Sequence, residues 1–127
     1  MIIKINSKCK QYKKENKTMQ RSLCKSLEHL VDKIEAEGSD INKIYNNDSI
    51  IYDRINDHIF IFKTHGRDNT QLRIVYSFEH KHGDSILYLL DYANKKKNDK
   101  EYLSQLNSKF RNVQLSELMF TDLIPVA

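Results

Sequence analysis

Three apolar runs separated by two short polar turns limit this chain more than any other feature. They span residues 58–64, 71–78 and 85–92. In the first, His58, Phe60 and Phe62 alternate with Ile59, Ile61 and Lys63; in the second, Leu72, Ile74, Tyr76 and Phe78 alternate with Arg73, Val75 and Ser77. Side chains along a strand point to opposite faces with a period of two. Each of these runs therefore predicts one aromatic-rich face and one face bearing a single cation. The third run is apolar at both sets of positions (Ile86, Tyr88 and Leu90; Leu87 and Leu89), as a strand covered on both sides requires. Turns this short predict an antiparallel meander. With the right register, Lys63 and Arg73 project together from the side away from the aromatic rings.

The aromatic face needs a cover, and the chain supplies one upstream. Met19, Leu23, Leu27, Leu30, Val31 and Ile34 recur at spacings of three and four, the stripe of an amphipathic helix over about 18–37. Gly38 stands where a left-handed C-terminal cap is needed. Lys25, Glu28, Asp32, Lys33 and Glu35 make the solvated side. Residues 2–5 are β-rich and predict an N-terminal strand, whereas residues 8–17 are polar and basic, a helix or the lead-in to one. Residues 39–54 show a turn cluster at Asn46, Asn47, Asp48 and Ser49, and Ile50, Ile51 and Tyr52 as a short extended piece. After the third run come Lys95, Lys96 and Lys97. A closing helix follows, capped by Asn98 or Asp99 and striped by Tyr102, Leu103, Leu106 and Phe110. Residues 116–127 are apolar without a clean period, a last strand, a short helix or a docking tail. The expectation is one α+β domain over residues 1–127. A small antiparallel sheet, the three-stranded meander plus an N-terminal strand, packs against the long helix, with a C-terminal helix beyond.

Charge and chemistry narrow the function. The chain carries a formal +4 with a pI near 9.0, which favours an anionic partner: nucleic acid first, then an acidic protein or a membrane surface. Cys9 and Cys24 stand apart without a CxxC pair, so a reducing cytoplasm is expected and neither thiol is expected to react. No apolar run approaches the roughly 20 residues of a membrane span. His80 and His82 with Asp84 offer at most part of a metal site, and no further ligands stand at a known spacing; no metal or other cofactor is expected. With only Gly38, Gly66 and Gly83 there is no glycine-rich phosphate loop, and the carboxylates are dispersed among bases. What remains is cationic: Lys63, Arg73 and Lys95 to Lys97, with Arg67 on the turn between. In metal-free RNA cleavage a 2′-hydroxyl attacks the adjacent phosphate. Placed Lys and Arg groups stabilise the extra negative charge, and one group takes the proton. A solvated charge run is the competing reading of the same lysines.

These residues also carry a family resemblance. Ile55-Asn56-Asp57-His58-Ile59-Phe60-Ile61-Phe62-Lys63 resembles the RelE-superfamily segment L-x-D-G-L-Y-E-L-R, with Lys63 on the family's arginine. Leu72-Arg73-Ile74-Val75-Tyr76 is similar to the following Y-R-I-x-Y. Ile86 to Leu90 followed by Lys96-Lys97-Asn98-Asp99-Lys100 resembles the strand and K-K-x-x-K stretch of the HigB-like, phage-derived branch. The likeness covers about residues 20–110. His58 replaces a glycine, Ile61 a glutamate, and Tyr102 stands where proline is common; no Tyr or His follows Tyr102, where members often carry a catalytic one. The resemblance implies a RelE-like fold and the toxin of a type II toxin–antitoxin system. Such a protein is a cytoplasmic, metal-independent endoribonuclease (mRNA interferase) that cleaves mRNA on the ribosome and inhibits translation. A helix-turn-helix antitoxin would silence it. Lys63, Arg73, Lys96 and Lys97 would be catalytic, and Arg67, Tyr92, Lys95 and Lys100 would bind RNA. Tyr92, His65 or a lysine would accept the proton. Two other readings stay open: a ParE-like toxin that acts on gyrase by protein contact, and an RNA-binding regulator without cleavage activity.

Overall fold

The structure, a computed structural model, describes residues 2–38, 40–65, 71–81, 84–95 and 100–123. Its elements are β1 (Ile2–Asn6), α1 (Gln11–Lys14), α2 (Lys17–Ala36), α3 (Ile41–Tyr45), β2 (Asp53–Arg54), β3 (Phe60–His65), β4 (Gln71–Lys81), β5 (Asp84–Lys95), α4 (Lys100–Phe110) and β6 (Phe120–Asp122), with a 3-10 turn at Leu115–Glu117. One six-stranded sheet runs β2-β3-β4-β5-β1-β6.

The long helix forms for the reasons its sequence predicts. Asn16 begins it, its side chain accepting from the Met19 amide at 2.8 Å. Gly38 ends it with φ +64°, a left-handed conformation that a Cβ would strain. Leu23, Leu27, Leu30, Val31 and Ile34 then bury against Phe60, Phe62, Leu72, Ile74 and Tyr76, so the aromatic faces of β3 and β4 do meet α2. The meander is antiparallel as expected, with Lys63 opposite Arg73.

The sheet is larger than expected, and it is mixed. β1 lies parallel to β5, with Ile3 beside Leu87 and Ile5 beside Leu89. No tight turn joins these two strands, so nothing forces an antiparallel pairing. β6 then adds antiparallel to the outer edge of β1, which makes part of the C-terminal segment an edge strand. α3 was not foreseen: its five residues are too few to show a helical period. β3 begins only at Phe60. His58 and Ile59 belong to a turn in which the Asn56 side chain accepts from both of their amides (2.9 and 2.8 Å).

The second face of the sheet is not open. Leu106 and Phe110 of α4 pack on Ile55, Ile59, Ile61, Val75 and Leu90, with Leu115, Leu118 and Phe120 at the margin. Asn98 and Asp99, the expected caps of this helix, lie outside the described residues. Among the described residues no helix is long and apolar enough to cross a membrane.

Candidate functional site

Lys63 and Arg73 are direct cross-strand partners, and Ala93 is the partner of Arg73 on β5. Two like charges directly opposite each other on a sheet are unfavourable. The local surroundings offset this with an aromatic ring. Lys63 Nζ lies 4.7 Å and Arg73 Cζ 5.1 Å from the centre of Tyr52, within cation–π reach for both. Tyr52 is 44% exposed and Lys63 is exposed, whereas Arg73 retains only 6% of its surface. The expectation that both cations project from an open face is therefore corrected for Arg73, which lies beneath its neighbours.

Arg73 is incompletely matched. Its Nη2 donates to Gln71 Oε1 at 2.5 Å, but Nη1 is buried and has no hydrogen-bond partner among the described residues. Burial lowers the arginine's pKa, while the phenols of Tyr52 and Tyr102 favour its charged form. A guanidinium nevertheless keeps its proton in proteins, so the site holds a fixed positive charge. Among the described residues no carboxylate pairs with Arg73 or Lys63. A buried donor without an acceptor costs free energy, and such exceptions call for a ligand or a functional reason.

His65 lies two positions beyond Lys63 on the same face, exposed, with its backbone opposite Gln71. Lys95 pairs through its backbone with Gln71, and Lys100 is the exposed first residue of α4. Arg67, Lys96 and Lys97 lie outside the described residues.

Tyr92 is the clearest misplacement. Strict alternation groups it with Tyr88 and Leu90, facing α4. A β-bulge intervenes, because Val75 pairs with Asp91 while Tyr76 pairs with Leu89. The extra residue reverses the alternation, so Leu90 and Asp91 both face α4 and Tyr92 turns to α2. Tyr92 is 2% exposed, and its hydroxyl donates to Glu15 Oε1 at 3.3 Å. Burial, followed by the nearby Glu15 charge, pushes its pKa far up. Its ring thus lies on the α2 side of the sheet and not on the face that carries Arg73.

Sequence reasoning missed two members of the site. Tyr52 comes from the connection before β2, where no periodicity marks it. Tyr102 belonged to the apolar stripe of the closing helix, yet it lies near enough to Arg73 to act on its charge. Both thiols are buried. Cys9 is buried beside Asp91, and burial first, then that carboxylate, pushes its pKa up to about 11. Cys24 is buried, with its sulfur 3.6 Å from the Tyr12 hydroxyl. The His80 Nδ1 contacts Ser85 Oγ at 2.6 Å, and His82 is outside the described residues. Among the described residues no three His, Cys, Asp or Glu side chains cluster as metal ligands.

The chain matches no protein-family profile, no curated protein and no solved structure.

Proposed function

We propose that this protein is a RelE/HigB-like endoribonuclease: the toxin of a type II toxin–antitoxin pair, which cuts mRNA on the ribosome without a metal. The observation that carries the reading is Arg73, a buried cation with an unmatched Nη1 beside Lys63 and without a carboxylate among the described residues. A phosphodiester supplies what that arrangement lacks, a compact anion with several acceptor oxygens.

Substrate enters by displacing the Tyr52 ring, the exposed cover over both cations. The 2′-oxygen attacks phosphorus, the bond to the 5′-oxygen breaks, and a 2′,3′-cyclic phosphate forms. Lys63 and Arg73 balance the charge that builds on the phosphoryl oxygens. His65 is the described imidazole on this face that can take the 2′ proton; a proton from solvent completes the leaving 5′-hydroxyl. Lys96, Lys97, Lys95, Lys100 and Arg67 hold the flanking backbone in this scheme, and a helix-turn-helix antitoxin covers the face.

The 6% exposure of Arg73 favours a second reading, in which the arginine is structural and the protein is a ParE-like toxin acting by protein contact. Growth on induction separates the two. Under the nuclease reading, expression of the wild type arrests growth. Arg73→Ala, and the double variant Lys63→Ala with Arg73→Ala, abolish the arrest while circular dichroism shows a folded chain. Full arrest by the folded double variant rejects the nuclease and leaves the protein-contact reading.

A further inference from the structure

The cationic face continues past Ala93. Ala93, the cross-strand partner of Arg73, also lines a cleft of about 400 Å³, and Tyr102 lines it too. Beyond them the cleft is bounded by Lys8, Lys10 and Gln11 before and at the start of α1, by Asp91 of β5 and by Lys109 of α4. Its one carboxylate is already committed. Asp91 Oδ1 accepts from Gln11 Nε2 at 2.8 Å, and Asp91 Oδ2 pairs with Lys109 Nζ at 3.3 Å. Among the described residues neither Lys8 nor Lys10 has a carboxylate partner, and both are exposed. The cleft thus presents two uncommitted ammonium groups and no free carboxylate to repel an anion.

We infer that this cleft is the track for the RNA strand on one side of the cleavage site, with Lys8 and Lys10 contacting backbone phosphates and Tyr102 at the junction with Arg73. The inference rests on the nuclease reading for the position of the scissile phosphate. A nucleic-acid backbone delivers negative charge at a regular repeat, so one strand fills the Arg73 site and the cleft together. An acidic protein segment has no such need to continue into Arg73.

Fluorescence anisotropy with 2′-O-methyl single-stranded RNA tests it, because the methyl group removes the attacking hydroxyl and leaves binding alone. An oligomer of about ten nucleotides spans both sites, and one of about four does not. For the longer RNA, Lys8→Gln with Lys10→Gln weakens binding several-fold. It also makes the dependence of log K on log salt shallower by about 1.4, roughly 0.7 for each lost phosphate contact. The shorter RNA binds both proteins alike. An unchanged salt slope, an equal loss with the shorter RNA, or binding of polyglutamate without binding of RNA overturns the inference. Ordinary mRNA in a translation mixture that contains ribosomes reports cleavage separately. Lysine-dependent binding without any cutting rejects the nuclease and keeps the track; cutting with an unchanged slope does the reverse.

Discussion

The two faces of the β3-β4-β5 meander are built from the same three strands, yet they differ in what they leave unfinished. On the α2 side Leu23, Leu27, Leu30 and Ile34 meet Phe60, Phe62, Ile74 and Tyr76, all nearly or fully buried. The Tyr76 hydroxyl at its centre is satisfied: Tyr76 Oη donates to Ile50 O at 2.7 Å. On the α4 side the apolar cover stops partway. Ile59, Ile61, Val75 and Leu90 are packed by Leu106 and Phe110, whereas one row further along stand Lys63 and Arg73 with an unmatched buried Nη1. A protein under pressure only for stability has no reason to keep that row, because a buried cation with incomplete partners contributes little or costs free energy. The α2 face is fully packed, whereas the α4 face keeps a fixed charge that packing alone does not explain.

Substitutions can break this division. Leu27→Ala on the α2 side should cost about 2–5 kcal/mol in urea unfolding, the largest effect expected here, because the site is enclosed on all sides. A cost below that of Leu106→Ala on the α4 side would undo the assignment of stability to the α2 face. Tyr76→Phe should cost about 1–3 kcal/mol by leaving the Ile50 carbonyl without its donor. Alkaline pH gives a smaller effect with a definite sign. Folding lifts the Cys9 pKa from 9.0 to about 11, so above pH 9 the unfolded chain releases a proton that the folded chain keeps. Stability present below that point is lost as pH rises through this window. The urea midpoint should drop between about pH 9 and about pH 11, and Cys9→Ala should make that drop shallower. The smallest change is expected at the row of Lys63 and Arg73: Arg73→Met, which keeps a long apolar stem, should stay within about 1 kcal/mol of the wild type. A large loss there would make Arg73 a structural residue.

Much of this division can be read from residue order. Alternation in β3 and β4 assigns Phe60, Phe62, Ile74 and Tyr76 to the helix and Lys63 and Arg73 to the other side, and the i, i+3, i+4 stripe identifies the helix. What escapes is set by contacts distant in sequence. β1 and β5 are far apart along the chain, and the sequence holds no turn to declare their parallel pairing. The bulge at Leu90 and Asp91 leaves no compositional mark in an all-apolar run, yet it moves Tyr92 to the wrong side for the site. Tyr52 and Tyr102 approach Arg73 from two separate elements, one of them without any period. The closing helix was foreseen, but its position over Ile61 and Val75 was not, because an amphipathic stripe does not say which face it will cover.

If Lys63 and Arg73 hold a phosphate undergoing cleavage, primer extension on mRNA after brief expression should reveal new 5′ ends. They should appear in cells expressing the wild type and be absent from cells expressing Arg73→Met at equal levels, with the variant's urea midpoint close to that of the wild type. The same new ends in the Arg73→Met cells, or none with the wild type, would contradict that role.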